Sequence, residues 1–322
     1  MRISVIIPTL NRSQTLDRTI ASVRGQALSF DQYEIIIVDN GSTDRTRKLV
    51  DSLNVNGSKP LRLIQEPELG LHNARHAGAR VAKGEILVFT DDDTSFDRHW
   101  LAAYAEAFES HPEMIAAGGP VRPVWGVAPP QWLLNFMGAS REFPILSLME
   151  PYEDFRINAK GYFYGVNMAI RRRALFELGG FNPEAFGDVW LGDGESGLNY
   201  KLWARAMPVG YVPNAIVYHH IPAERMTVRY FCRRMANQGA CDMYTRYHPR
   251  IPPRFRLLKH ACAQVLKNSG SWIKAFLTKE KTDTQSLQIQ LHSAQTLSEV
   301  KYTVRLILDE KFRGLVRQTS WL

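Results

Sequence analysis

The stretch Gly84–Phe96, GEILVFTDDDTSF, runs four apolar residues, Ile86 to Phe89, into three carboxylates, Asp91, Asp92 and Asp93. Carboxylates this close raise each other's pKa unless a cation or a fixed set of donors lies between them. Extended backbone would turn Asp91 and Asp93 to one side and Asp92 to the other. Two carboxylates one residue apart can reach a hard divalent ion and leave its remaining positions to phosphate oxygens and water. Such a site binds a metal together with a diphosphate. An acidic loop capping the next helix is the plainer use of these residues, but three adjacent charges exceed what a cap needs. Polar groups also end two earlier apolar runs, at Pro8-Thr9-Leu10-Asn11 and Asp39-Asn40-Gly41-Ser42. The second also suits a turn that feeds a helix cap.

These groups can work together only if the elements that carry them are neighbours. ISVIIP (Ile3 to Pro8), YEIIIVD, LRLIQEP and EILVFTD read as strands. Helical patterns separate them, from about Ser13, over GSTDRTRKLVDSL, and over LHNARHAGARVAKG with Gly84 as its stop. The alternation predicts an α/β chain with a mostly parallel central sheet. In open parallel sheets ligands sit at the carboxyl ends of strands, where all three polar clusters fall. Further on, HWLAAYAEAFESHP is helical, MIAAGGPV a strand, and Arg122 to Asn135 a loop rich in Pro, Trp and Gly. DGESGLNYKLWARA reads as a helix and VGYVPNAIVYHH as a strand; from Met226 the pattern is mostly helical, broken at YHPRIPPR.

With 322 residues, 45% of them hydrophobic, the chain can bury a large core as one large or two ordinary domains. No run reaches the ~18 apolar residues that cross a bilayer. MRISVIIPTLNR reads as a buried strand, with no small-residue cleavage site. Cys232, Cys241 and Cys262 form neither an even disulfide framework nor a C-x-x-C zinc spacing, which suits a reducing cytoplasm. Residues 225–322 carry 18 Lys/Arg against 6 Asp/Glu, whereas residues 1–224 carry 22 against 26. The basic part reads as a surface for something anionic, or as a set of solvated helices. It carries no helix-turn-helix, zinc finger or aromatic-rich RNA-binding motif, so nucleic acid is not an expected partner.

Taken in order, VIIPTLNR, YEIIIVDNGSTDRT, ELGLHNARHAGARVAKGEILVFTDDD and GVNMAIRRRALFELGGF resemble the large family 2 of glycosyltransferases, from Ile3 to about His220. The resemblance implies a GT-A fold with a helical C-terminal extension, and an inverting transferase that uses a nucleotide-diphosphate sugar with Mn2+ or Mg2+. Carried over by position, Pro8, Thr9 and Asp39 would line the nucleoside pocket, and Arg75, on the helix after Gly70, would approach the nucleotide or its phosphates. Asn11, Asn40, Asp91, Asp92 and Asn167 complete the expected donor set. Asp91 and Asp93 would form the D-x-D pair, with Asp93 the direct metal ligand, and one of His219 and His220 would reach the metal or diphosphate. The family supplies its base from an adjacent Glu-Asp pair on a helix. Here the corresponding run is LGDGESGLNYKL, with Gly194 at the Glu position and Glu195 at the Asp position. Glu195 is the favoured base and Asp193 its competitor. Tyr164, with Gly165, and Trp190, which could stack on a sugar ring, are the expected acceptor contacts.

Between Arg254 and Leu277, Leu258, Ala261, Val265, Trp272, Ile273 and Phe276 lie at helical spacing, interleaved with Arg256, Lys259, Lys267 and Lys274. Such a helix can lie on an anionic membrane, or pack on the catalytic part or a second subunit. Ser269-Gly270-Ser271 weakens one continuous helix. Processive synthases of the family add transmembrane helices and a Q-x-x-R-W motif; neither is in this sequence, which favours single addition.

The reading is a GT-A catalytic domain over 1–224 (1–105 for the donor, 106–224 for the acceptor) and a basic helical region over 225–322. Its expected partners are the sugar nucleotide, a glycan or lipid-linked acceptor in cell-surface polysaccharide or lipopolysaccharide assembly, the inner face of the cell membrane and a second copy of the chain. A sugar-phosphate nucleotidyltransferase would need a Gly-rich basic loop where PTLNRSQT stands. A non-catalytic glycan- or membrane-binding module on the same fold would predict broken metal and base positions.

Overall fold

The first two apolar runs become β1 (Ile3–Thr9) and β2 (Tyr33–Asp39), and every residue of both is buried. Strands covered on both faces suit a parallel sheet, and these pair in parallel from Ile3 beside Tyr33 to Thr9 beside Asp39. The structure, a computed structural model, describes residues 2–56, 61–186, 189–190, 192–279 and 281–322. Helix α1 (Ser13–Arg24) turns Leu16, Ile20 and Val23 into the core. Next come α2 (Thr46–Asn56), β3 (Leu61–Gln65), α3 (Leu71–Val81) and β4 (Ile86–Phe89). Gly78 of α3 lies against β1 so closely that a Cβ there would sit 2.5 Å from Ile6 Cγ2.

The Asp triplet then turns the chain into β5 (Thr94–Phe96), followed by α4 (Trp100–Ser110), β6 (Ala116–Gly118) and β7 (Val121–Trp125). After these come α5 (Gln131–Met137), β8 (Glu142–Phe143), β9 (Leu148–Met149), β10 (Arg156–Asn158), β11 (Met168–Arg171) and α6 (Arg172–Glu177). The hairpin β12 (Ala185–Phe186) and β13 (Val189–Trp190), α7 (Gly194–Ala204), β14 (Val209–Tyr211) and β15 (Val217–Ile221) complete this part. The main sheet has the order β10-β14-β6-β11-β4-β1-β2-β3, with β11 and β10 antiparallel to their neighbours. A second sheet, β5-β15-β7-β9-β8, stands beyond the Asp triplet.

Three expectations change here. The single strand over Met114–Val121 is two strands in different sheets, because Gly119 and Pro120 turn the chain between them; a Cβ on Gly119 would lie 2.4 Å from the Ala215 carbonyl. The expected loop over Arg122–Asn135 contains most of β7 and the start of α5, and VGYVPNAIVYHH splits into β14 and β15.

The C-terminal region folds as α8 (Val228–Tyr247), α9 (Arg254–Leu277), α10 (Thr284–Leu308) and α11 (Glu310–Arg317). Its own apolar core joins Met243, Tyr244, Tyr247, Leu257, Leu306, Phe312 and Val316. Helix α9 runs unbroken through Ser269-Gly270-Ser271, contrary to expectation. A Cβ on Gly270 would meet nothing within 4 Å, so no packing contact bends the helix there. Among the described residues no helix is long and apolar enough to cross a membrane.

Candidate active site

At the carboxyl end of β4 each carboxylate of the triplet meets a different partner. Asp92 accepts from Thr9 Oγ1 at 2.7 Å, which ties the loop to the end of β1. Burial pushes the Asp92 carboxyl up to about 7, against the Thr9 bond and helped by the charge on Asp93. Asp93 Oδ2 accepts from Arg225 Nη2 at 2.5 Å, with Arg12 Nη1 3.8 Å away. Asp93 Oδ1 is buried without a hydrogen-bond partner and lies 3.7 Å from His219 Nε2. Asp91 is the most open of the three, 3.7 Å from Arg75 Nη2. Desolvation in the cleft raises its carboxyl to about 6, opposed by Arg75.

These residues surround a cleft of about 440 Å3. Pro8, Thr9 and Leu10 from β1 and Leu69, Gly70, Leu71 and Ala74 from the start of α3 line it, together with Asn40, the Asp triplet, Arg12 and Arg225. Gly70 opens α3 with φ +143°, a conformation few other residues take. Asn40 holds that turn, with Nδ2 donating to the Glu66 and Glu68 carbonyls at 2.9 and 2.8 Å and Oδ1 accepting from Gly70 N–H at 2.9 Å. Asp39 and Asn11 stand behind the cleft wall. Asp39 Oδ1 accepts from Ser42 N–H at 2.8 Å, and Asn11 Oδ1 accepts from Thr43 N–H at 2.8 Å. They brace the loops that form the cleft and are not among its lining residues.

Arg75 does not line the cleft but lies buried behind Asp91. Its guanidinium, 2% exposed, reaches Glu184 Oε1 at 3.1 Å, Glu195 Oε2 at 3.5 Å and Asp91 at 3.7 Å. It passes across Gly165, where a Cβ would lie 2.3 Å from Nη2. One buried cation thus joins the Asp triplet to the start of α7. Glu184 carries no motif in the sequence and was not anticipated. Burial and the charge of Glu195 push Glu184 well above the usual carboxylate range. Burial acts the same way on Glu195, but a hydrogen bond with Glu184 and the charge of Arg75 outweigh it and bring Glu195 down to about 2. The two carboxyls thus sit against each other as a hydrogen-bonded pair under one guanidinium. Gly194 makes this possible: at φ +47°, it lies where a Cβ would be 2.2 Å from Glu184 Oε1.

Asp193, the competing base, is committed elsewhere. Its carboxylate accepts from Asn182 Nδ2 and Thr245 Oγ1, both at 2.8 Å, and so fastens the loop before α7 to α8. His219 and His220 part company because consecutive strand residues face opposite sides. His219 Nδ1 donates to the Leu146 carbonyl at 2.9 Å, and Nε2 accepts from Arg225 at 2.7 Å, within reach of Asp93. His220 does not join the cluster: its ring nitrogens meet Arg18 and Ser95, both at 2.8 Å.

Asn167 is likewise removed from the donor set. It is fully buried, accepting from Trp100 Nε1 at 2.9 Å and Tyr104 OH at 2.7 Å, and donating to the Pro120 and Ala215 carbonyls at 3.0 and 2.7 Å. Asn167→Ala strands Trp100 Nε1, Tyr104 OH and the Ala215 carbonyl, while the Pro120 carbonyl keeps the Val217 N–H, and each unsatisfied buried group costs about 1–3 kcal/mol. The variant should lose about 3 kcal/mol or more in a denaturant titration, with nucleotide affinity unchanged in the remaining folded protein. Affinity that falls while stability holds would return Asn167 to the donor site.

A second cavity of about 740 Å3 opens on the other side of Glu195. Tyr152, Tyr162, Tyr164 and Tyr211 line it with Glu195, Ser196 and Arg234. The side chain of Trp190 lies outside the described residues.

The sequence profile of glycosyl transferase family 2 matches residues 4–179. The chain belongs to this family. Among its family relatives, the validoxylamine A glucosyltransferase of Streptomyces hygroscopicus is 26% identical over 277 residues, which cover 78% of this chain and 62% of the relative. The glucosyl-dolichyl phosphate glucuronosyltransferase of Haloferax volcanii is 25% identical over 191 residues, covering 56% of each. The chain thus spans less than two thirds of the length of these relatives. A mannosyltransferase of Pyrobaculum calidifontis, solved with GDP-Man and Mn2+, superposes with a TM-score of 0.57 at 22% identity over 98% of this chain and 83% of its own. TarS of S. aureus, solved with UDP-GlcNAc, gives 0.50 at 19% identity, over 75% of this chain and 68% of its own. The family 2 fold here is the GT-A arrangement: a mixed, mostly parallel sheet flanked by helices, with a helical C-terminal region.

Proposed function

We propose that the chain is an inverting glycosyltransferase that adds one sugar from a nucleotide-diphosphate donor to a hydroxyl of a glycan or lipid-linked acceptor. The observation that carries this reading is the place of Glu195. It lies on the wall of the larger cavity, and a single buried guanidinium joins it to Asp91 in the smaller one. A base on one side and a diphosphate site on the other are what in-line displacement needs.

The donor's diphosphate lies in the smaller cleft between Arg12 and Arg225, whose guanidinium groups suit phosphate oxygens. The acceptor occupies the tyrosine-lined cavity, where aromatic rings pack on the apolar faces of sugars. Its hydroxyl gives its proton to Glu195 as the oxygen bonds to the anomeric carbon, while the bond from that carbon to the diphosphate breaks on the opposite face. Asp91 and the unpartnered Asp93 Oδ1 fit a hard divalent ion. When bound, Mn2+ or Mg2+ would neutralise charge on the departing diphosphate. The division is placed at 224/225, although Arg225 and Arg234 serve the site from beyond it and Met226, Phe231 and Leu291 pack into the main core.

Thermal unfolding with UDP, GDP, dTDP, ADP and CMP, each with and without Mn2+, tests the donor site. A ligand at 100 times its Kd stabilises by about 2.7 kcal/mol. One nucleoside diphosphate should raise the midpoint, and only with the metal. A folded protein that shifts with none of them overturns the reading.

A further inference from the structure

Helix α9 presents an apolar surface that neither cavity uses. Phe255, Leu258, Leu266, Ile273, Phe276 and Leu277 are each between 55 and 80% exposed. At about 100° of turn per residue, these six fall within an arc of roughly 100°. Leu257, Ala261 and Asn268 occupy a separate arc and are the buried ones. The helix therefore has one apolar face already packed and a second facing solvent. Of the seventeen large hydrophobic residues exposed among the described residues, more than a third lie on this one helix. Exposed apolar residues scattered singly mean little, but a continuous stripe marks a contact surface.

Charge says what the contact is. Within Arg254–Leu277 there are five Lys and Arg and no Asp or Glu. Arg256, Lys259, Lys267 and Lys274 flank the stripe along one side of the helix and form no ion pair among the described residues. A second copy of the helix laid on this face would bring two unopposed basic flanks together. An anionic bilayer offers the complementary arrangement, with headgroups for the cations and acyl chains for the stripe.

We infer that α9 is a membrane-docking element that lies in the plane of an anionic lipid surface, with its Phe255–Leu277 stripe in the acyl boundary and its lysines among the headgroups. The inference is independent of the transfer reaction, because no α9 residue lines either cavity. Docking of this kind holds the enzyme beside acceptors that are themselves lipid-borne.

The test is co-sedimentation of the full chain with vesicles of phosphatidylcholine alone and of phosphatidylcholine mixed with phosphatidylglycerol, across a salt series. The chain should bind the mixed vesicles, release progressively as salt rises, and bind the neutral ones at least about tenfold more weakly. Ile273→Glu with Phe276→Glu should abolish binding. Lys259→Gln with Lys267→Gln and Lys274→Gln should remove the preference for the anionic vesicles. Both sets are at exposed positions, and unchanged circular dichroism and nucleotide-induced thermal shift would show that each variant is folded. A folded chain that stays in the supernatant with both vesicles overturns the inference. So does a dimer that the Ile273→Glu/Phe276→Glu variant converts to monomer, which would make a second copy the occupant. Equal, salt-independent binding to both vesicles would overturn the anionic assignment.

Discussion

Glu195→Gln removes the proposed base while leaving the cleft at the Asp triplet intact, and transfer should fall by about 10²–10⁴-fold. Nucleotide-induced thermal shifts should be unchanged, since Glu195 lines the tyrosine-lined cavity and not that cleft. The neighbouring Glu184 makes the experiment sharper. Burial and the charge of Glu195 push the Glu184 carboxyl well above the usual range. Glu184→Gln puts a neutral amide of the same shape there, so activity should stay within a few-fold of the parent. The two substitutions are nearly isosteric and differ in which carboxyl is replaced. If Glu184→Gln is the inactive one and Glu195→Gln is not, the base has been assigned to the wrong partner. Asp193→Asn separates the third carboxylate: it keeps one acceptor but turns the other into a donor, weakening the paired hold on Asn182 and Thr245, and should lower stability before it lowers the rate per folded molecule.

Asp93→Asn should have the second large effect. The substitution keeps a hydrogen-bond acceptor for Arg225 but removes the negative charge from the only member of the triplet that has a buried, unpartnered oxygen among the described residues. Metal-dependent stabilisation by nucleoside diphosphate should disappear, and turnover should fall by about 10²-fold or more, since a metal held there would supply the proposed Lewis acid for the leaving group. Asp92→Asn is the control. Asp92 is held up to about 7 by burial and bonded to Thr9, so an amide there changes little at the diphosphate. Full activity and an undiminished Mn2+-dependent shift in Asp93→Asn would rule out the triplet as the metal site.

What the sequence disclosed follows from how local each signal is. The four strands, their helices and the Asp triplet come from periodicity and from adjacent residues, and all stand where that pattern put them. Pro8, Thr9, Asn40, Gly70 and Asp91 line the cleft for the same reason, as strand-end loops with a fixed position in the fold. Arg75 and Asn167 stand out in the sequence but face inward, because their partners come from distant segments that no spacing rule reaches. Arg225 and Glu184 lie in loops without a motif, and only the packing of α7 and α8 against the sheet brings them in. The histidine pair could have been resolved from strand alternation alone, since only one of two consecutive residues can face the triplet.

Gly194 and Glu184 form the one place where this chain departs from the adjacent acidic pair of its family. The carboxylate that would stand beside Glu195 in the chain arrives from ten residues upstream and fills the space that a side chain at 194 would need. The two designs exclude each other. An acidic residue placed at 194 collides with Glu184 and forces a side chain onto a left-handed backbone, whereas replacing Glu184 alone removes only a hydrogen-bond partner of Glu195. A mutational path between the two arrangements that fills position 194 first thus runs through a crowded, deleterious intermediate, and one that replaces Glu184 first does not. The order of the two changes is therefore constrained.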